Sequence, residues 1–153
     1  MGRVVATRYR EVVVSELYSG KTQLNRALQP LVTLAEDILG LDEEKRHQTL
    51  IRTDAGGGSD ASRNWLLSHG YLFLTKVYNA KRAEKLCRSV TTWYQDPFVR
   101  GREMGLISTP HPYTQTTRQI GVRSKKENGG FSYHVLVTNL SKEQLDTLVY
   151  PVR

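Results

Sequence analysis

The sequence predicts an α/β fold, with a mixed sheet, flanking helices and a β-rich later region. Three observations carry this. Apolar runs over 49–53 and 71–77 alternate with helical patterns over 61–69 and 80–90, the order of a βαβ unit with parallel strands. Two alternating runs over 116–124 and 130–139 enclose Lys125-Lys126-Glu127-Asn128-Gly129, a hairpin signal. A chain of 153 residues is also long enough for one domain with a sizeable core.

The elements follow in order. Residues 3–10 and 11–18 are rich in β-branched side chains and predict two strands, with Val4, Ala6, Val12 and Val14 at period two. Ser19-Gly20 predicts a turn, and Thr22 a helix cap. Leu24, Ala27, Leu28, Leu31, Leu34 (or Ala35) and Ile38 recur at spacings of three and four, one apolar helical face. Pro30 predicts a kink or restart there, because it lacks a backbone donor, and Gly40 predicts the end. Residues 42–48 predict a charged, exposed connection. A strand over 49–53 then delivers Asp54 to a glycine turn, Gly56-Gly57-Gly58. Ser59 or Asp60 predicts the cap of the next helix, with Ala61, Trp65 and Leu66 inward. Gly70 ends it. Residues 71–77 are nearly all apolar, as in a strand covered on both faces. The helix over 80–90 places Ala83, Leu86, Cys87 and Val90 inward and Lys81, Arg82, Lys85 and Arg88 outward. Residues 96–113, with Pro97, Pro110 and Pro112, predict irregular or short β structure. Ser141 predicts the cap of a last helix, with Glu143 and Gln144 in its first turn.

Composition narrows the function. No apolar run approaches the ~18 residues that span a bilayer, and the first residues lack a continuous apolar signal segment. Cys87 is the only cysteine, which excludes an internal disulfide and a cysteine zinc cluster and predicts a cytoplasmic chain. The net charge is +7, and most of it falls after residue 76. A basic half points to a polyanion, most simply nucleic acid; many basic proteins nevertheless bind none.

Asp54 is the residue around which chemistry is to be sought. A phosphate-binding P-loop needs Lys after the glycines, and Ser59-Asp60 stands there instead. Asp54-Ala55-Gly56-Gly57-Gly58 is similar to the glycine loop of S-adenosylmethionine-dependent methyltransferases, but such sites want an acidic residue at the next strand end, where Lys76 stands. A metal-dependent phosphoryl-transfer site needs about three carboxylates converging on magnesium, of which Asp54 is one.

The run Arg52-Thr53-Asp54-Ala55-Gly56, then Asp60, Asn64-Trp65, Gly70-Tyr71 and Lys76, resembles the segment around the second catalytic aspartate of bacterial insertion-sequence DDE transposases. Ser19-Gly20-Lys21-Thr22 before the first helix and Val137-Thr138-Asn139-Leu140 before the last extend the resemblance over essentially the whole chain. It implies a ribonuclease-H-like mixed sheet truncated at both ends: a partial core over 1–93, a β-rich insertion and return strand over 94–140, and the start of the final core helix over 141–153. It implies Asp54 as catalytic, magnesium-binding aspartate, with DNA and other transposase chains as partners. Tyr150-Pro151-Val152-Arg153 matches the first half of the family's signature around its final glutamate, and the chain stops before that glutamate; the strand of the first aspartate would precede Met1. With one of three carboxylates, the expectation is a chain inactive alone, with Mg²⁺ held weakly or not at all.

Single residues carry paired readings. Asp54 is a metal ligand or a turn-capping aspartate; Asp60 is a helix cap before it is a second ligand. Lys76 meets a DNA phosphate or is a solvated strand-end lysine. Lys81, Arg82, Lys85 and Arg88 on the helix, and Arg118, Arg123, Lys125 and Lys126 on the hairpin, are DNA-backbone contacts or solvated faces. The remaining alternatives are a non-catalytic DNA-binding protein and a methyltransferase-like domain.

Overall fold

The computed structural model describes residues 2–6, 11–19 and 21–149. The Tyr150–Arg153 match and Gly20 of the predicted turn lie outside them.

Strands β1 (Gly2–Ala6) and β2 (Glu11–Glu16) pair antiparallel and form a sheet of their own. Helix α1 (Leu24–Leu39) packs on both, and Ala27, Leu31 and Ala35 cluster with Val14. It runs as one helix through Pro30, which is exposed. Thr22 does not cap it: its hydroxyl meets that of Ser19 at 3.0 Å, and the cap position belongs to Gln23. Gly40 ends the helix at φ 61°, the left-handed conformation glycine adopts freely.

The connection expected over 42–48 contains a short helix, α2 (Glu43–His47), because Asp42 caps it by accepting from the Lys45 N–H at 2.9 Å. Strand β3 (Leu50–Thr53), a 3₁₀ turn (Ala55–Gly57), helix α3 (Asp60–Ser68), strand β4 (Leu72–Lys76) and helix α4 (Ala80–Cys87) follow. β3 and β4 are parallel, Leu50 facing Leu72 and Thr53 facing Thr75. The later half adds β5 (Tyr94–Gln95), β6 (Arg102–Leu106), β7 (Arg118–Lys125), β8 (Phe131–Thr138) and α5 (Lys142–Val149). The six strands lie in the order β3-β4-β8-β7-β6-β5, antiparallel from β4 onward. This is a mixed α/β fold with flanking helices.

α4 lies on β8 and β7, where Ala83 and Cys87 join Phe73, Val135 and Val137 in the main core. α3 buries a different stripe from the one its sequence suggests. Ser62, Arg63, Leu66 and Leu67 are inside, Ala61 is exposed and Trp65 is half-buried. The stripe turns because an arginine, not an alanine, finds partners in the core. At the far end, Ser141 and Gln144 form a reciprocal cap: the Gln144 N–H donates to Ser141 Oγ at 3.1 Å, and the Ser141 N–H to Gln144 Oε1 at 2.8 Å.

Candidate nucleic-acid interface

Parallel pairing brings two strand ends to one edge of the sheet. Thr53 is level with Thr75, so Asp54 lies level with Lys76. Asp54 is exposed, and its Oδ1 accepts the Gly56 N–H at 2.9 Å, capping the 3₁₀ turn. That is the geometry of a turn-capping aspartate. The glycines behind it serve the chain's own packing. A Cβ on Gly58 would collide with the carbonyl oxygen of Lys76 and stand 2.7 Å from an Arg63 nitrogen; one on Gly57 would stand 2.8 Å from Thr53 Cβ. What approaches this loop closely is β3 and β4 themselves.

Asp60 is the centre of the site, and Ser59, not Asp60, caps α3: its Oγ accepts the Ser62 N–H at 3.1 Å. Both Asp60 carboxylate oxygens accept from Arg82 Nη1 at 2.9 Å. His111 Nε2 donates to Oδ2 at 3.1 Å, and Arg63 Nη1 lies 3.4 Å from Oδ1. Burial alone would raise the Asp60 carboxyl; Arg82 first, then His111 and Arg63, bring it below its ordinary value. An aspartate so surrounded by donors offers little to a metal.

Arg63 is fully buried. Its Nε donates to Thr75 Oγ1 at 2.8 Å, one Nη to the Lys76 carbonyl at 3.1 Å and the other to Tyr113 Oη at 3.1 Å. Burial pulls its pKa down, opposed by Tyr113 and Asp60; the Tyr113 hydroxyl is pushed up by burial, opposed by Arg63. The cluster fastens the segment before β7 to α3 and β4. Further ties run from the Thr114 N–H to Asn64 Oδ1 and from the His111 N–H to Gln119 Oε1.

Two clefts flank Arg82. One, of about 430 Å³, lies at the carboxyl edge of β3 and β4 and is lined by Gln23, Asn25, Gly56, Ser59, Tyr78 and Arg82. The other, of about 490 Å³, is lined by Lys81, Arg82, Lys85, Thr109 and His111, with Asn79 at the border of both. α3 and α4 begin at this edge, capped by Ser59 and by Asn79, whose Oδ1 accepts the Arg82 N–H at 3.0 Å. Helix starts carry partial positive charge; Lys81 stands exposed in the first turn of α4 and Lys85 exposed in its last turn, both lining the second cleft.

The other cations expected to face DNA have different surroundings. Arg88 is exposed and lies 3.3 Å from Glu84, a surface pair worth little. Lys76 is half-buried near His134, whose pKa burial lowers first and Lys76 second. Arg123 lies 4.5 Å from the ring centres of both Trp93 and Phe131 and donates to Glu103 at 2.5 Å. Arg118 stands at the opposite end of β7 from the hairpin turn, facing Thr138, with its Nε buried and unpaired. Lys125 and Lys126 are exposed at the turn.

Sequence reasoning missed Arg63, His111 and Tyr113. The one local signal was the Asp60–Arg63 spacing of three on a helix; the other partners lie about fifty residues on. Among the described residues, no three His, Cys, Asp or Glu lie together as a metal site would need, so the residues beside Asp54 do not by themselves fit a magnesium centre. Among the described residues, too, no helix is long and apolar enough to cross a membrane. Compared with known proteins, the chain matches no family model, no curated protein and no solved structure.

Proposed function

We propose that this chain is a DNA-binding α/β unit of transposase type that engages the phosphate backbone along the carboxyl edge of β3 and β4 and does not cut DNA by itself. The observation that carries the reading is the edge itself. Two helix starts, the exposed Lys81 and Lys85 and two adjoining clefts gather there, a positively polarised surface of the kind phosphates bind. The sequence likeness around Asp54 favours DNA among polyanions. Strand cleavage of the transposase kind would need two more carboxylates than the described residues bring to Asp54, so no catalytic step is assigned. The methyltransferase reading is less favoured, because Lys76 stands at the end of β4, where such sites want an acidic residue.

The test is gel-shift and plasmid-nicking assays run side by side, with magnesium and with EDTA. Duplex DNA should be shifted equally in both buffers and equally by Asp54→Ala, and supercoiled plasmid should stay intact. Absence of a shift at low salt would refute the binding reading. Magnesium-dependent nicking abolished by Asp54→Ala would refute the non-cutting one.

A further inference from the structure

The cleft of about 430 Å³ at the carboxyl ends of β3 and β4 has the size of a small-ligand site. Its place follows from the parallel pair, since open α/β sheets take ligands in the crevice outside the carboxyl ends of their strands. The start of α1 lines it through Gln23 and Asn25, because α1 packs on the 3₁₀ turn and on α3. The segment joining β4 to α4, Val77-Tyr78-Asn79, lines it as well, and Gly56 and Gly58 do so without side chains.

Tyr78 is 71% exposed. Among the described residues its side chain takes no hydrogen bond, ion pair or ring partner. The chain on either side of it is fixed: the Val77 N–H donates to the Val135 carbonyl at 2.8 Å, and Asn79 caps α4. The cleft that the ring lines is otherwise rich in carboxamides. Gln23 leads into α1 without a side-chain cap bond, Asn25 is exposed in the first turn of α1, and Asn79 spends Oδ1 on the Arg82 N–H and keeps its NH2. A carboxamide presents a donor and an acceptor side by side, the pair with which Asn and Gln read a base edge. Arg82 lines the same cleft, and Asp60 holds it through Nη1 at 2.9 Å, which leaves the rest of the guanidinium to a phosphate. The one carboxylate lining the cleft, Asp60, is taken by Arg82 and His111. A flat ring, amides and a guanidinium in one crevice match a nucleotide unit: the base stacks on the ring, its edge meets the amides and its phosphate meets the guanidinium.

We propose that this cleft is a nucleotide site that takes one unpaired base, with Tyr78 as the stacking platform, Gln23, Asn25 and Asn79 as base-edge contacts and Arg82 as the phosphate contact. A base of a DNA strand and a free nucleotide carry the same chemistry, and the test separates them. The strand source rests on the reading of the chain as a DNA-binding unit and deepens it. Arg82 also borders the second cleft, with Lys81 and Lys85, so a backbone leaving the first cleft past Arg82 meets those lysines next.

The experiment is fluorescence anisotropy of the full chain against a labelled single-stranded 12-mer and the same sequence as duplex, with deoxyadenosine and thymidine monophosphates titrated by calorimetry in parallel. Tyr78→Ala should weaken single-strand binding by about tenfold, the size of one lost base stack, and leave duplex binding within about twofold. Tyr78→Phe should retain single-strand binding, because the ring is kept. Gln23→Ala/Asn25→Ala should weaken it several-fold; unchanged affinity there overturns the amide contacts. Urea unfolding of each variant confirms that it is folded. Single-strand binding lost in Tyr78→Ala, with no mononucleotide heat, assigns the base to a strand. Equal single-strand affinity in wild type and Tyr78→Ala, with no mononucleotide heat and duplex binding intact, overturns the cleft assignment alone. Mononucleotide binding lost in Tyr78→Ala, with no binding of either DNA, keeps the site, assigns it to free nucleotides and overturns the DNA reading. No binding of any of them by the wild type overturns both.

Discussion

Replacing Arg63 by methionine tests the account of the site's framework. The guanidinium has no exposed surface and donates to Thr75, to the Lys76 carbonyl and to Tyr113. Methionine fills much of the volume and supplies none of these bonds. Removing one member of a buried ionic network costs about 3–5 kcal/mol. Asp60 keeps Arg82 and His111, so no carboxylate is stranded and the low end applies, about 3 kcal/mol. For a chain of this size that lowers the midpoint of thermal unfolding by about 6–12 °C. Arg63→Lys should fail to rescue, because one ammonium cannot reach three acceptors spread around a planar fork. The assay is urea unfolding followed by circular dichroism, repeated in Tyr113→Phe to measure the coupling. A cost below about 1 kcal/mol for Arg63→Met, with an unchanged denaturant slope, would refute the reasoning.

Three further outcomes follow from the same geometry. Gly58→Ala should destabilise the chain by about 1–3 kcal/mol, since the added methyl meets the Lys76 carbonyl; an unchanged urea midpoint would show that the loop has room. Asp60 and Asp96 are both held below the ordinary carboxylate range. Burial opposes this in each case, and Arg82 for the first and the Phe98 N–H and Arg102 for the second overcome it. Each therefore contributes stability that is complete above the unfolded pKa of about 3.9 and is lost as pH falls through the lower folded value. The urea midpoint should fall below about pH 4 more steeply in the wild type than in Asp96→Asn, and equal slopes would count against the loop anchor. The Cys87 thiol is pushed up to about 11 by burial, so at pH 8 a disulfide reagent should label the folded chain far more slowly than the urea-unfolded one. Equal rates would place Cys87 outside the core.

The sequence was most informative where structure is local. The βαβ unit from Leu50 to Lys76 was legible because its apolar runs have strand length and its break is punctuated by Ser59 and Gly70. The hairpin over Arg118–Thr138 was legible from alternation and from Asn128-Gly129. The Ser141–Gln144 cap was legible because both partners sit within one turn. Only the Asp60 spacing of three sets Arg63 apart locally from Arg82 and Arg88; its role depends on Thr75, Lys76 and Tyr113, brought to it by folding. Arg82 was read as one more outward cation because its partner Asp60 lies on another helix. Arg123 alternates with Val122 on a strand, and only the placement of Trp93 and Phe131 shows that it is held between rings. Asp54 was conspicuous for the glycines after it, yet Gly57 and Gly58 are required by the approach of β3 and β4.

The claim that the carboxyl edge of β3 and β4 meets the DNA backbone is tested most directly by the salt dependence of duplex binding in Lys81→Gln/Lys85→Gln. Each lysine contacting a phosphate contributes about 0.9 to the slope of log affinity against log salt. The double variant should bind every duplex sequence more weakly, with a slope shallower by about two than the wild type's. A slope identical to the wild type's, with wild-type binding clearly present, would place the DNA elsewhere on the protein and contradict the account.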